Sequence, residues 1–176
     1  MLGTQGSDPP GALRGAAGET AILHSVRLDH VPIPSLTEER TNHSMKLHTY
    51  LNFGGNCAQA FHFYEQHLGG KITFIMTYGE QPNPENVPAD QKHAILHMRM
   101  QLGETELMGA DVPPERFQPM RSAYLSLTLE SNDEAERVYA LLADGGQIFM
   151  PLQKTFFAAR FAMLRDKFGT SWMILH

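Results

Sequence analysis

The sequence carries FYEQHLGGKITFIM at residues 63–76 and a second stretch with the same organisation, VYALLADGGQIFMPL, at residues 138–152. In each stretch a tyrosine is followed by a Gly-Gly pair and then by an apolar run. The offsets between the two copies are 75 residues for the tyrosines and 76 residues for the first glycines. A glycine pair is typical of a helix end, and the apolar run is typical of a buried strand. The shared order predicts an internal duplication of one structural unit.

The first unit opens with residues 47–53, LHTYLNF, whose alternation predicts a half-buried strand with Leu47, Leu51 and Phe53 toward the core. Asn56 is the predicted cap of a helix that ends at the first Gly-Gly pair. Three further strands are predicted at residues 71–76, 94–102 and 105–110. The first unit is therefore predicted to be βαβββ.

The second unit repeats this order. AYLSLTLE at residues 123–130 alternates and predicts the opening strand. Ser131 and Glu134 have the spacing of a capping box, which predicts the start of a helix. RFAMLRD and TSWMIL then mirror the hairpin that closes the first unit. The predicted fold class is therefore α+β, with two tandem βαβββ modules.

Four segments carry a family resemblance: YLNFGGNCAQAFHFYEQHLGG (50–70), MTYGEQP (76–82), LMGADVPPERF (107–117) and FGTSWMI (168–174). They resemble the PhnB-like branch of the vicinal oxygen chelate superfamily, to which glyoxalase I, bleomycin-resistance proteins and extradiol dioxygenases also belong. The resemblance covers residues 46–176. It implies that the mixed sheets of the two modules curl around a cleft, usually completed by dimerisation. A homodimer is therefore expected.

The first 44 residues differ from the rest, because Gly, Pro, Ser and Thr interrupt every periodic segment. We expect residues 1–44 to form a poorly ordered extension and residues 45–176 to form the PhnB-like domain. Its two modules are expected at about residues 46–111 and 122–176. Met45 opens the patterned part of the chain, so one hypothesis is that natural translation begins there.

The composition excludes several classes of protein. Fourteen Lys and Arg against nineteen Asp and Glu give a net charge of −5, which argues against a nucleic-acid partner. The single Cys57 permits no internal disulfide and no zinc site built from cysteines, and we predict a packed, unreactive thiol. The chain has no apolar run of about 20 residues and no signal-peptide pattern, so no membrane contact is expected. The predicted location is cytoplasmic.

A metal site is the first hypothesis for the cleft. The resemblance matches His48 with the family's first metal ligand, if one residue is inserted in the Gly-Gly turn, and Glu106 with the glutamate of the first module. His97 is predicted on the same outward face of the sheet. His48, His97 and Glu106 would hold one divalent cation, of which Zn, Ni, Mn and Fe suit imidazole and carboxylate ligands. The alternative is that these are ordinary hydrogen-bonded residues on the wetter face of a sheet.

The second module departs from the family pattern. Tyr124 stands where a histidine ligand is expected, and Trp172-Met173 stands where a glutamate ligand is expected, so a four-ligand site is incomplete. Tyr124 and Glu106 are the predicted catalytic residues, Tyr124 as a proton donor or substrate contact. The predicted substrate pocket comprises Tyr50, Asn52, Arg99, Met108, Ser126, Met163, Arg165 and Met173.

Two of these pocket residues are basic. Arg99 and Arg165 are assigned to corresponding places in the two modules. In one interpretation they clamp an anionic substrate. In the other they pair with acids on the surface.

Two functions follow from the resemblance. The first is a glyoxalase-like protein that acts on a small oxygenated molecule in a dimeric cleft and uses a divalent metal. The alternative is a non-catalytic protein that sequesters a small molecule, in the manner of bleomycin-resistance proteins. A structural family member without a ligand is a third reading. Loss of half of the ligand set favours the sequestering alternative.

Overall fold

A computed structural model describes residues 46–176, so the expectations for residues 1–44 and for Met45 lie outside the described residues. The first half of the described chain contains β1 (Thr49–Phe53), α1 (Cys57–Leu68), β2 (Lys71–Thr77), β3 (Ile95–Leu102) and β4 (Thr105–Asp111). The second half contains β5 (Leu125–Thr128), α2 (Asn132–Ala143), β6 (Gln147–Gln153), β7 (Phe161–Arg165) and β8 (Ser171–Leu175).

The two halves have the same topology. The strand order is β1-β4-β3-β2 in the first sheet and β5-β8-β7-β6 in the second. The first strand of each module runs parallel to the last one, and the other neighbours are antiparallel. This confirms the predicted α+β fold of two βαβββ modules. Within residues 46–176, neither helix is both long and apolar enough to cross a membrane.

Helix α1 forms because Cys57, Ala60, Phe61 and Tyr64 recur at helical spacing and are all buried. It ends at Gly69, which adopts the left-handed conformation at φ 76°. Asn56 is the N-cap residue of α1, as predicted, but its side chain makes no capping hydrogen bond. In α2 the predicted cap is confirmed, since the Ser131 side chain accepts a hydrogen bond from the Glu134 backbone N–H.

The predicted first strand is two residues too long at its start. Pairing of β1 begins at Thr49 opposite Leu107. Leu47 therefore lies beyond the sheet and is 95% exposed, whereas Leu51 and Phe53 are buried as predicted. Alternation alone does not show where the neighbouring strand ends.

One hydrophobic core joins the two modules, since buried residues of both sheets and both helices belong to the same cluster. Tyr64 of α1 packs edge-on against Trp172 of β8, with ring centroids 5.3 Å apart. The Tyr64 hydroxyl donates to the buried Asp166 carboxylate, at 2.6 Å, in the turn between β7 and β8. The helix of the first module is thereby fastened to the sheet of the second.

Candidate functional site

The outer face of the first sheet, on the side away from α1, carries most of the predicted polar residues. Strand pairing places Tyr50 of β1 beside Met108 of β4, Met108 beside Arg99 of β3, and Arg99 beside Phe74 of β2. These four residues form one row across the sheet, because residues in register on neighbouring strands point to the same face. We call this the Arg99 row.

Beside the Arg99 row, Glu106 is held by two basic side chains. Nη2 of Arg99 lies 2.7 Å from one oxygen of the Glu106 carboxylate and donates to the other at 2.8 Å. Nδ1 of His48 lies 3.6 Å from the Glu106 carboxylate. The hydrogen bond from Arg99 and the positive charges around it lower the pKa of Glu106, and the same contact raises the pKa of Arg99. At neutral pH this is a carboxylate paired with a guanidinium.

A second polar group on the same face is formed by aromatic rings. The hydroxyl of Tyr50 lies 3.2 Å from Nδ1 of His97, and the two rings are stacked with centroids 5.6 Å apart. The Phe74 ring lies next to the His97 ring, with the two centroids 5.8 Å apart. Burial raises the pKa of Tyr50, so its phenol stays protonated at neutral pH. The three rings form an aromatic group next to Arg99, in which Tyr50 and His97 are stacked and Phe74 is tilted by 49° to His97.

The structure does not assemble the predicted metal set. His97 lies four residues before Gln101 on β3, and Gln101 is the partner of Glu106. Four strand residues span roughly 13 Å, so His97 and Glu106 cannot share an ion within one chain. Across residues 46–176 no three His, Cys, Asp or Glu side chains come together in a metal-binding arrangement. His48 and Glu106 do meet, but Arg99 already neutralises that carboxylate. These donors do not fit the cation that the resemblance implies.

The outer face of the second sheet is mainly apolar. Strand pairing aligns Ser126, Met173, Met163 and Met150 in one row. Tyr124 lies edge-on to Phe149 at 6.4 Å, and the Arg165 guanidinium lies 5.4 Å from the centre of the same Phe149 ring. Neither methionine nor serine replaces the missing ligands of the second module.

The predicted correspondence of the two arginines is wrong. The two sheets can be compared position by position when Tyr124 is matched to His48. Ser126 of β5 then matches Tyr50 of β1. Their strand partners, Met173 and Met108, match each other. The next partner across is Met163 in the second sheet and Arg99 in the first. Arg165 is displaced by one row, where it donates to the Met120 carbonyl at 2.8 Å.

The cavities divide the remaining predicted pocket residues. Tyr124 and Ser126 line a cavity of about 270 Å³ with Leu107. Tyr50 and Asn52 line a separate cavity of about 180 Å³. A third cavity, of about 430 Å³, contains Arg165 together with Lys167 and Asn56 of the first module. Within one chain these residues therefore do not share one pocket.

Two buried aspartates hold the segments around the site, and the sequence reasoning missed both. Asp111 accepts hydrogen bonds from the backbone N–H groups of Gly55, Cys57 and Ile95 at 2.9–3.0 Å, which connects the start of α1 to β3 and β4. Asp166 accepts from Tyr64, Trp172 and two backbone N–H groups of its own turn. Asp111 lies inside the family-like segment GADVPP, and Asp166 lies two residues before the family-like segment FGTSWMI. This position is the sequence signal by which both could have been found.

Trp172 and Cys57 both pack in the core, and for Cys57 this confirms the prediction of a packed thiol. Trp172 is 1% exposed and donates through Nε1 to Asp166 at 2.8 Å, so it faces the core and not the ligand side. Cys57 is fully buried, and burial together with the nearby Asp111 carboxylate raises its pKa far above the ordinary value. A thiol in that state is a poor nucleophile.

Comparison with known proteins identifies the relatives of this chain. Residues 45–175 match the family described as 3-demethylubiquinone-9 3-methyltransferase. The protein YjdN of Escherichia coli is 33% identical over 138 residues, which cover 74% of this chain and 94% of that protein. The structure of PA1353 from Pseudomonas aeruginosa is 41% identical, covers 75% of this chain and 97% of that chain, and has a TM-score of 0.68.

More distant structures extend the likeness. A PhnB protein from Bacillus cereus is 28% identical, covers 74% of this chain and 98% of its own, and has a TM-score of 0.65. The fosfomycin resistance protein FosX from Listeria monocytogenes, complexed with Mn(II) and 1S,2S-dihydroxypropylphosphonic acid, is 10% identical. It covers 75% of this chain and 91% of its own at a TM-score of 0.52, so it shares the fold alone. The chain belongs to the family described as 3-demethylubiquinone-9 3-methyltransferase, which is the PhnB-like family of the vicinal oxygen chelate superfamily.

Proposed function

We propose that this protein acts on a small oxygenated molecule at the outer face of its first sheet, in a cleft that a second copy of the chain completes. The observation that carries this proposal is the placement of Arg99, hydrogen-bonded to Glu106, and of His48, 3.6 Å from the same carboxylate, beside the stacked Tyr50 and His97. A cluster of titratable side chains next to aromatic rings is typical of small-molecule sites.

The chemistry that this group supports is proton transfer. Glu106 faces Nδ1 of His48, which orients the imidazole and leaves Nε2 directed away from that contact. His48 would then exchange a proton with a ligand, while the charge on Arg99 stabilises negative charge that develops on a ligand oxygen. Tyr124 stays a proposed proton donor or substrate contact. Since the donor set does not fit a metal, no step here uses one.

A second copy of the chain would close the cleft. Tyr50 and Phe74 on the outer face of the first sheet are 47% and 38% exposed, and Phe149 on that of the second is 42% exposed. If the first sheet of one protomer opposes the second sheet of its partner, the polar face and the methionine row line opposite sides of one cleft. An isologous dimer would form two such clefts.

The test is a ligand screen followed by a turnover assay. We expect some members of a panel of small carboxylates, 2-oxo acids and phosphonates to raise the melting temperature, since a ligand of the native state stabilises it. His48→Gln should lose this effect, whereas His62→Gln on the exposed face of α1 should keep it. Binding without chemical change of any bound compound would contradict the catalytic part and favour sequestration.

Dimerisation needs its own measurement. Sedimentation velocity should show a dimer for the wild-type protein and a larger monomer fraction for Phe149→Glu. A wild-type monomer at all concentrations would contradict the shared cleft.

A further inference from the structure

We infer that Arg99 takes the place of the divalent cation that other members of the superfamily hold, and that its guanidinium binds an anionic oxygen of the ligand, a carboxylate or a phosphonate. This inference rests on the proposed function and names the ligand class for the same face of the sheet.

The first argument is the position of the charge. Arg99 lies on β3, a central strand of the first sheet, and Nη2 contacts both oxygens of Glu106 at 2.7 and 2.8 Å. The resemblance assigns Glu106 to the metal, so the guanidinium occupies the side of the carboxylate that a cation would need. A divalent ion there would stand within a few ångströms of a permanent positive charge, which disfavours it.

The second argument is the set of donors that Glu106 leaves free. A guanidinium carries five N–H groups, and Glu106 uses only those on Nη2. Nε of Arg99 is buried without an acceptor among residues 46–176. The side chain as a whole is 44% exposed, and Nη1, which has no hydrogen-bond partner among residues 46–176, is not buried. Buried donors are nearly always paired, so the buried Nε leaves one donor of Arg99 unsatisfied. A ligand oxyanion would accept from the free Nη1 through one oxygen, because both forked edges of a guanidinium include Nη2, which Glu106 occupies.

The third argument is what surrounds the guanidinium. Phe74 and Met108 flank Arg99 in its row, and the stacked Tyr50–His97 pair lies beside it. These groups provide apolar and aromatic contacts for the body of a small molecule. The expected ligand is therefore a small organic acid with an apolar or planar body, whose oxyanion meets Arg99.

The experiment uses the full chain and methylphosphonate, acetate and MnCl₂ as probes. Titration followed by ¹H–¹⁵N NMR should shift the Arg99 Nε–Hε signal with methylphosphonate or acetate. Arg99→Gln should weaken methylphosphonate binding at least tenfold, and Arg99→Lys should weaken it less because the charge is kept. The matched control is Arg137→Gln on α2, whose arginine is 51% exposed and lies 3.9 Å from Glu134. It should bind as the wild type does.

The Mn²⁺ titration tests the exclusion of a cation. Wild-type protein should leave Mn²⁺ free in electron paramagnetic resonance spectra, and Mn²⁺ should not compete with methylphosphonate. Stoichiometric Mn²⁺ binding that broadens the His48 signals would overturn the inference. Unchanged anion binding in Arg99→Gln would also overturn it, provided that circular dichroism shows the variant folded.

Failure of this inference can be distinguished from failure of the proposed function. If a compound from the screen still binds in Arg99→Gln and loses binding in His48→Gln, the proposed function stands and the role of Arg99 is wrong. If neither substitution affects any bound compound, the site itself is wrong.

Discussion

Replacement of Asp166 by asparagine should destabilise the protein by about 3 kcal/mol. The carboxylate is 4% exposed and accepts four hydrogen bonds. Oδ1 accepts from the N–H groups of Phe168 and Thr170, and Oδ2 accepts from Tyr64 and Trp172. An amide keeps one oxygen, so its NH₂ group faces two donors whichever way it turns.

The magnitude follows from these contacts. A hydrogen bond to a charged group contributes roughly 1.5–3 kcal/mol, so loss of two costs about 3–6 kcal/mol. Two effects reduce this cost. A neutral amide is cheaper to bury than a carboxylate. In addition, the Tyr64 hydroxyl already lies 3.0 Å from the Thr170 hydroxyl and can donate there instead.

The assay is urea unfolding followed by circular dichroism and by the fluorescence of Trp172, the only tryptophan in the chain. Asp90→Asn in the exposed loop before β3 is the control and should change the unfolding free energy by less than about 0.5 kcal/mol. A double-mutant cycle with Tyr64→Phe should give a coupling of about 1 kcal/mol or more. If the unfolding free energies of Asp166→Asn and Asp90→Asn differ by less than 1 kcal/mol, Asp166 does not fasten α1 to the second sheet.

Three further predictions concern stability. Burial and the Asp166 carboxylate raise the pKa of Tyr64 well above 10.0, so the native state keeps a proton that the unfolded chain loses. The unfolding free energy should therefore fall above about pH 10. Its slope against pH should be steeper in the wild type than in Tyr64→Phe, by up to roughly 1.4 kcal/mol per pH unit. Equal slopes in urea unfolding at several pH values would refute this. In Gly109→Ala the new Cβ meets Phe61 at 2.8 Å, and we expect the unfolding free energy measured in urea to fall by about 1–3 kcal/mol. In Gly103→Ala the new Cβ meets no atom within 4 Å, so only the positive φ is unfavourable and the unfolding free energy should fall by about 1 kcal/mol. Leu47→Ser should leave the melting temperature within about 2 °C of wild type, because this side chain is 95% exposed, and a larger drop would show that it is covered.

The local pattern of the sequence predicts most of the fold. The Gly-Gly pairs, the Ser131 cap and the alternating strands act within a few residues, and both βαβββ modules follow from them. Errors occur where the limit of an element depends on its neighbour. Leu47 alternates with its neighbours but has no strand beside it.

The candidate site is predicted less well, because its composition depends on strand register. Alternation predicts the outward face of β1 with His48 and Tyr50, and it places Arg99 on the outward face of β3. Glu106 was assigned by the family resemblance. Which of these side chains meet is a separate question. The pairing of Gln101 with Glu106 sets Arg99 on the carboxylate and leaves His97 two rows away, on Tyr50.

The sequence by itself determined the element order, the duplication and the family, because these follow from local periodicity and from recurring motifs. Only the tertiary structure decided that Glu106 pairs with a guanidinium and that Asp111 and Asp166 are buried. A contact between strands depends on register, and a shift of one residue turns every side chain to the other face. A buried carboxylate is stable only where distant N–H and O–H groups converge on it, as they do at Asp166.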